Sequence, residues 1–226
     1  MCIRDRDDFL LNADDFLSAC TEDIDLVIIC NPNNPTSSAI QTGDMERIIR
    51  ECKKRNIFVM IDETYVEFAP CIEEITAIPL TKHYHNRRVI RGVSKFYAAP
   101  GLRFGYGITS SEAFLKSLHQ HQNPWSLNSV GAYTGELMLK DTDYFRETRA
   151  LILSERERMF ARLSHMDGYK PYAAYGNFIL VRILKEGLTS FDVFEAAIKN
   201  RLMIRDCSSF ESVSYTHLTL PTKLEV

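Results

Sequence analysis

Two continuous apolar runs separated by one amphipathic segment are the feature that most constrains the fold of this chain. Residues 25–30 and 57–61 are rich in Val and Ile and lack polar alternation, which is typical of parallel strands covered on both faces. Between them, apolar side chains recur at positions 45, 48, 49 and 52, the spacing of a helix with one buried face, and Thr42 is the predicted N-cap. The sequence therefore predicts a β-α-β unit with a right-handed crossover.

Two further strands extend this unit into an α/β sheet. Residues 88–93 and 104–108 are predicted as strands, with a Pro-Gly turn between them. Asp62 lies at the carboxyl end of the second strand, and Lys95 lies just beyond the third. Ligands of open α/β sheets bind in the crevice beyond the carboxyl ends of the strands. We therefore expect the loop at 31–36, Asp62 and Lys95 to converge on one pocket.

The remainder of the chain predicts a connecting helix and a smaller α+β region. A long, mostly charged helix at 143–165 suits a connector between domains. After it we predict a strand at 178–183, a helix at 190–200 and a strand at 202–205. The predicted domains are therefore 7–142 and 166–211, joined by that helix.

Both ends of the chain have an unusual character. MCIRDR at 1–6 and SVSYTHLTLPTKLEV at 212–226 resemble translated adapter sequence that recurs on unrelated reading frames, so both are predicted to be foreign to the fold. The alternative for the second stretch is a genuine edge strand, because its residues show a mixed β-type alternation at Tyr215, His217, Leu218 and Leu220.

Composition excludes several classes of partner. Lys and Arg number 27 against 30 Asp and Glu, so there is no basic excess for nucleic-acid phosphates. The six cysteines include no Cys-x-x-Cys pair, which argues against a zinc site or a disulfide framework and favours a reduced, cytoplasmic protein. No apolar run approaches the ~20 residues of a membrane span. We expect no metal, no nucleic acid and no membrane partner.

Three motifs, in this order and spacing, resemble the class I/II aminotransferases: NPNNPT at 31–36, DETY at 62–65 and SKFYAAPGLR at 94–103. The resemblance covers residues 9–211 and is nearest to the branch of histidinol-phosphate aminotransferases and threonine-phosphate decarboxylases. It implies the pyridoxal-phosphate-dependent transferase type I fold, with a partial large cofactor-binding domain and a partial small α+β domain. It also implies a small-molecule amino acid or amino phosphate substrate and a homodimeric parent protein.

By this resemblance, Lys95, Asp62 and Tyr65 are the catalytic residues and pyridoxal phosphate is the cofactor. The amine of Lys95 would bind the cofactor covalently, which requires a neutral amine and therefore a pocket that lowers its pKa. Asp62 would keep the pyridine nitrogen protonated. Asn34 and Tyr65 would hydrogen-bond the ring oxygen. Singly, each residue also has a structural explanation, and their joint occurrence at matching strand ends favours the functional one.

The cofactor phosphate would be bound by Arg103, whose planar, always-charged guanidinium suits phosphate, and by Ser94. The sequence departs from the family pattern at Gly92, where relatives often carry Ser or Thr as a further phosphate ligand. We therefore expect weaker binding of the cofactor phosphate. Asn177 is a candidate for lining the site or for a simple strand-entry turn.

The resemblance also implies that other parts of the site lie outside this chain. These are an amino-terminal phosphate loop, an aromatic residue that stacks on the ring, a tyrosine that reaches across the dimer, and a carboxyl-terminal arginine for the substrate. We therefore expect the chain alone to be a truncated enzyme that binds the cofactor poorly.

The residues predict amino-group transfer between an amino acid or amino phosphate and a 2-oxo acid. Decarboxylation of an amino acid phosphate is the alternative, and a catalytically inactive fragment or a ligand-sensing domain of a regulator is a further one. A nicotinamide enzyme would need Gly-x-Gly-x-x-Gly after the first strand. The loop there is rich in Asn and Pro, and Gly105-x-Gly107 has no third glycine, so that class is excluded.

Overall fold

The computed structural model describes residues 8–208 and 215–219 and arranges them around two β-sheets. The strands are β1 (Leu26–Cys30), β2 (Phe58–Asp62), β3 (Arg87–Gly92), β4 (Gly105–Ile108), β5 (Tyr169–Pro171), β6 (Phe178–Ile183), β7 (Arg205–Asp206) and β8 (Tyr215–Thr219). The α-helices are α1 (Ala13–Ser18), α2 (Thr42–Lys54), α3 (Glu112–His121), α4 (Ser129–Lys140), α5 (Thr142–Ser164) and α6 (Ser190–Lys199). Short 3-10 helices lie at Val66–Phe68, Pro79–Lys82 and Pro100–Leu102.

The first sheet has the strand order β1-β2-β3-β4. β1, β2 and β3 pair in parallel, whereas β4 pairs with β3 in the antiparallel direction. The predicted α/β class with a mostly parallel sheet is confirmed. Because β1 to β3 run in one direction, their carboxyl ends lie at the same edge, where Cys30 is opposite Asp62 and Asp62 is opposite Ile90.

Helix α2 packs against the first sheet through the predicted apolar face. Its inward side chains are all fully buried: Met45, Ile48, Ile49 and Cys52. They share one core cluster with the strand residues Ile29, Val59, Ile61 and Val89. Truncating one such isoleucine to alanine costs about 2–5 kcal/mol, so this contact is a major part of the stability of the β-α-β unit.

The start of α2 differs from the prediction by one residue. Gln41 is the N-cap residue, and Thr42 is already helical. The backbone N–H of Thr42 donates to the carbonyl of Glu74 at 2.7 Å, and its hydroxyl donates to the carbonyl of Glu73 at 3.4 Å. Thr42 is thus held by a loop distant in sequence instead of capping its own helix.

Helices α4 and α5 connect the two sheets. α4 approaches the chain before β4 so closely that a Cβ at Gly131 would lie 2.8 Å from the Leu102 carbonyl oxygen, and one at Gly135 would lie 2.5 Å from the Phe104 ring. α5 coincides with the predicted connector. Its buried Arg156 donates to the carbonyls of Phe68 and Gly176, both at 3.0 Å. The domain limits at 142 and 165 stay a prediction.

The second sheet has the order β5-β6-β8-β7 and is antiparallel throughout. β6 lies where it was predicted, whereas β7 covers Arg205–Asp206 instead of 202–205, because these two residues pair with β8. Within the described residues, no helix combines the length and the apolar content that crossing a membrane requires.

Strand β8 corrects the expectation for residues 212–226. Residues 215–219 of that stretch form an inner strand between β6 and β7, so the strand alternative holds for this part, although the strand is not at an edge. Tyr215 is buried and packs edge-to-face on Phe9, with ring centroids 5.2 Å apart. The foreign origin of the stretch stays a prediction, and residues 1–7, 209–214 and 220–226 lie outside the described residues.

Candidate functional site

A cleft of about 350 Å³ lies beyond the carboxyl ends of β1 and β2, a size that suits a small ligand. It is lined by Cys30, Pro32, Asn34, Asp62, Thr64, Tyr65, Lys95 and Arg205. The predicted convergence of the loop at 31–36, Asp62 and Lys95 on one pocket is therefore confirmed. The cleft also receives a residue from the second sheet, Arg205.

The loop after β1 brings Asn34 to Tyr65. The amide Nδ2 of Asn34 donates to the Tyr65 hydroxyl at 3.1 Å. The loop is fixed by buried Asn31, whose amide donates to the carbonyls of Ile40 at 3.1 Å and Ile75 at 2.8 Å. Two polar groups that can bind the same ligand oxygen thus lie side by side, although they are 31 positions apart in sequence.

Asp62 is half-buried at the end of β2. Its Oδ1 accepts hydrogen bonds from the backbone N–H of Thr64, at 2.9 Å, and from the Thr64 hydroxyl, so the orientation of the carboxylate is fixed. On the neighbouring strand, burial and, secondly, the charge of Asp62 raise the pKa of the Cys30 thiol above its ordinary value. The thiol of Cys30 therefore stays protonated at neutral pH.

Lys95 reaches the cleft from the turn that follows β3. Its Nζ lies 5.8 Å from the centroid of the Tyr65 ring, within reach of a cation–π contact when the amine is protonated. The side chain is exposed, so a ligand can approach the amine. The Tyr65 ring also packs edge-to-face on Phe178 of β6, at 5.4 Å between centroids, which fixes the tyrosine between the two sheets.

The two residues predicted to bind phosphate, Ser94 and Arg103, are not among the described residues that line the cleft. Arg103 is exposed, has a left-handed backbone with φ of 51°, and donates from Nη1 to the carbonyl of Pro100 at 3.2 Å. Ser94 is half-buried. Asn177, the weaker candidate, is buried and also lies outside the lining. The roles of Ser94 and Arg103 stay predictions.

Sequence reasoning missed Cys30, Thr64 and Arg205 as lining residues. Cys30 directly precedes the motif at 31–36 and Thr64 lies within the motif at 62–65, so their position next to the strand ends was a usable signal. Arg205 had no such signal, because it reaches the cleft through the pairing of β7 with β8, between residues 10 and 12 positions apart, and β8 lies in the stretch 212–226 that was predicted to be foreign.

The fold and the cleft together define an α/β protein with a cleft of small-ligand size at strand carboxyl ends, lined by an amine, a carboxylate and a guanidinium. The family model of aminotransferase class I and II matches residues 2–223. The chain belongs to this family. Pyridoxal phosphate is the cofactor of the family.

Named relatives come from two branches of the family. The chain is 32% identical over 208 residues to the threonine-phosphate decarboxylase of Salmonella typhimurium, covering 92% of this chain and 56% of that protein. It is 31% identical over 214 residues to the histidinol-phosphate aminotransferase of Methanopyrus kandleri, covering 95% of this chain and 53% of that protein. The chain thus spans about half the length of these curated relatives.

A solved structure agrees with the architecture. The histidinol-phosphate aminotransferase of Clostridium acetobutylicum superposes with a TM-score of 0.89 at 27% identity, over 98% of this chain and 65% of that one. The expected family resemblance and the transferase fold are confirmed.

The side chains of the cleft fit pyridoxal phosphate at its ring end. An amine suits the aldehyde, a carboxylate suits the protonated ring nitrogen, and the Asn34–Tyr65 pair suits the ring oxygen. The cleft volume is also in the range of small-ligand sites. For the phosphate end of the cofactor, the described lining offers no comparable set of binding groups. The arginine in that lining is Arg205.

Proposed function

We propose that the complete protein is a pyridoxal-phosphate-dependent aminotransferase that moves an amino group between an amino acid or amino phosphate and a 2-oxo acid. The observation that carries this proposal is the convergence of Lys95, Asp62, Asn34 and Tyr65 on one cleft. The family membership supports the reaction class, and the named relatives support the substrate class.

When bound, the cofactor supplies an aldehyde that condenses with an amine, with loss of one water, and a cationic ring that withdraws electrons from the reacting carbon. Lys95 would hold the cofactor through Nζ, and its neutral amine could move a proton as a base. Asp62 would hold a proton on the ring nitrogen, and the Thr64 contacts keep its carboxylate oriented for this task. Asn34 and Tyr65 would donate to the ring oxygen.

Arg205 supports an anionic substrate. A guanidinium stays charged at any physiological pH and can bind a carboxylate or a phosphate through two parallel hydrogen bonds. Its position in the lining of the cleft, to which Lys95 also belongs, suits the carboxylate of an amino acid or the phosphate of an amino phosphate. Ser94 and Arg103 are proposed to bind the cofactor phosphate, with Arg103 moving from its contact with Pro100.

The test is covalent attachment at Lys95. The complete protein is incubated with pyridoxal phosphate, and the visible absorbance is recorded. The adduct is then fixed with borohydride and located by peptide mass spectrometry. We expect attachment at Lys95, and loss of both signals in Lys95→Ala. Lys116→Ala, which removes an exposed lysine of α3, is the matched control and should behave as wild type. An unchanged spectrum in Lys95→Ala contradicts the proposal.

The second candidate function is decarboxylation of an amino acid phosphate, favoured by the 32% identity to the decarboxylase of Salmonella typhimurium. The two reactions are distinguished by their products. Transamination consumes a 2-oxo acid and releases another, whereas decarboxylation of threonine phosphate releases carbon dioxide without a 2-oxo acid. A third alternative, a catalytically inactive fragment, predicts attachment at Lys95 without either product.

We also propose that the complete protein is a homodimer in the cytoplasm. The exposed apolar side chains of α4, which include Val130, Tyr133 and Leu137, support burial against a further surface. The described cysteines are not joined in disulfides, in keeping with a reducing compartment. Sedimentation equilibrium of the complete protein tests the dimer, and a monomer at micromolar concentration would contradict it.

A further inference from the structure

A buried polar cluster lies behind the cleft and is centred on Glu63, the residue after Asp62. Asp62 lines the cleft, whereas Glu63 does not. The Glu63 side chain is fully buried, at 0% exposure. Since consecutive side chains of an extended chain point in opposite directions, the sequence Asp62-Glu63 presents one carboxylate to the ligand and the other to the interior. A buried carboxylate is costly unless it is paired and hydrogen-bonded.

Glu63 accepts hydrogen bonds from three residues. Arg91 of β3 donates to its Oε2 from Nε at 3.0 Å and from Nη2 at 2.7 Å. The Thr76 hydroxyl lies 3.1 and 2.9 Å from the two carboxylate oxygens, and the backbone N–H of Ala77 donates to Oε1 at 2.6 Å. Arg91 Nη2 also donates to the Thr76 hydroxyl at 3.0 Å. These charge-assisted contacts fix the carboxylate and the guanidinium relative to each other.

The contacts join the chain ends that carry the cleft residues. The backbone N–H of Glu63 donates to the carbonyl of Ile90 at 2.9 Å, so Glu63 and Arg91 continue the pairing of β2 with β3. Asp62 precedes Glu63 by one position, and Lys95 follows Arg91 by four. The Glu63–Arg91 pair therefore joins the two chain segments that carry the carboxylate and the amine of the cleft.

The same cluster reaches the loop after β1. Thr76 and Ala77 belong to a segment whose preceding residue, Ile75, accepts a hydrogen bond from the Asn31 amide at 2.8 Å. Asn31 begins the loop that carries Asn34. Residues 75–77 thus contact both Asn31, the residue after β1, and Glu63, the residue after β2. Thr76 also contacts Arg91, on the strand that precedes the third motif. The segment therefore supports all three motifs.

Resting on the proposed function, we propose that Glu63 is a positioning residue, which acts through Arg91 and Thr76 to set the distance and angle between Lys95 and Asp62. It does not touch the ligand. Because the rate of a reaction between held groups depends steeply on their geometry, loss of this carboxylate should change the reactivity of Lys95 although no residue that lines the cleft is itself substituted.

The experiment measures how fast pyridoxal phosphate attaches to Lys95 in the 226-residue chain at millimolar cofactor. Attachment is fixed with borohydride, quantified by peptide mass spectrometry, and repeated from pH 6 to 10. We expect Glu63→Gln to slow attachment at Lys95 by about 10–100-fold and to shift the pH midpoint of attachment. Arg91→Lys, which keeps the charge but loses the planar fork, should give a smaller loss.

Glu74→Gln is the matched control, because it makes the same chemical change on an exposed side chain of the neighbouring loop. It should leave both the rate and the pH midpoint unchanged. Melting curves establish that each variant is folded at the assay temperature. If Glu63→Gln does not fold, Arg91→Lys and Thr76→Val, which removes only the hydroxyl that contacts Glu63, carry the test.

Three outcomes are distinguished. Slower attachment with a shifted midpoint in folded variants supports the positioning role. Folded variants with the wild-type rate and midpoint overturn it, and so does a loss that only follows the unfolded fraction. Failure of both the wild-type chain and the complete protein to react at Lys95, with adducts at other lysines instead, overturns the proposed function itself.

Discussion

Glu67 gives a pH dependence of stability whose sign and size follow from the structure. Glu67 lies in the 3-10 helix after Tyr65 and is only 5% exposed, and its Oε2 has no hydrogen-bond partner. The nearest nitrogen of Arg91 is 3.8 Å from Oε1. Burial raises the pKa of Glu67 from 4.5 to about 7, more than the opposing charge of Arg91 lowers it. The other titratable groups around it are Glu63, Tyr97, Tyr106 and Arg149.

The raised pKa means that the folded protein keeps a proton on Glu67 that the unfolded chain releases. Below pH 4.5 Glu67 is protonated in both the folded and the unfolded state, so it does not lower the free energy of unfolding. As the pH rises from 4.5 towards 7, only the unfolded state ionises, so the free energy of unfolding falls. Each pH unit in that window costs about 1.4 kcal/mol, and the whole window therefore costs about 3 kcal/mol. Above pH 7 Glu67 is ionised in both states, and the loss in the free energy of unfolding stays constant.

The perturbation is Glu67→Gln, which keeps the shape but cannot ionise. We expect the variant to match wild type near pH 4.5 and to exceed its free energy of unfolding by up to about 3 kcal/mol at pH 8. Urea unfolding of both proteins between pH 4.5 and 8.5, followed by circular dichroism, measures the difference. A gap that is independent of pH, or a variant less stable than wild type at pH 8, refutes the reasoning. Exposed Glu74→Gln is the control.

Three further predictions concern the cleft. Asp62→Asn should still allow attachment of the cofactor at Lys95 but lower turnover of the complete protein by several orders of magnitude, because the charge facing the ring nitrogen is lost; retained turnover in steady-state assays would place the ring elsewhere. Arg205→Met should raise KM for an anionic amino donor by about 10–100-fold, measured against a neutral amine whose KM stays unchanged; equal changes for both would contradict an anion contact. Gly92→Ser should fold normally, since a Cβ there meets its nearest atom, the Phe104 carbonyl oxygen, at 3.4 Å. If this position faces the phosphate, the variant should bind pyridoxal phosphate more tightly in a spectroscopic titration. Weaker binding in a folded variant would contradict that placement.

Local sequence periodicity was sufficient for the β-α-β unit. The apolar face of α2 and the continuous runs of β1 and β2 depend on neighbours within one element, so their spacing identified the buried side chains Met45, Ile48 and Ile49 before any tertiary contact was known. The same pattern located the motifs relative to the strands, at the ends of β1 and β2 and after β3. Since parallel strands place their carboxyl ends together, their convergence was also predictable.

The pairing of distant segments was decided only by the tertiary structure. Strand β8 has a weak alternation of its own and becomes a strand because β6 and β7 supply hydrogen bonds on both sides, and this pairing is what brings Arg205 to the cleft. The role of Thr42 changed from cap to loop anchor for the same reason, because Glu73 and Glu74 lie more than thirty positions away.

Glu63 shows the same division within a single motif. The sequence Asp62-Glu63 places two carboxylates side by side, and the resemblance to the family assigned Asp62 to the ligand but no role to Glu63. Burial at 0% exposure and contacts to Arg91, Thr76 and Ala77 assign Glu63 to the interior, because a carboxylate can be buried only where distant residues supply the donors that replace water. The sequence by itself determined the elements and the chemistry at their ends, and the long-range contacts determined which of those groups face the cleft.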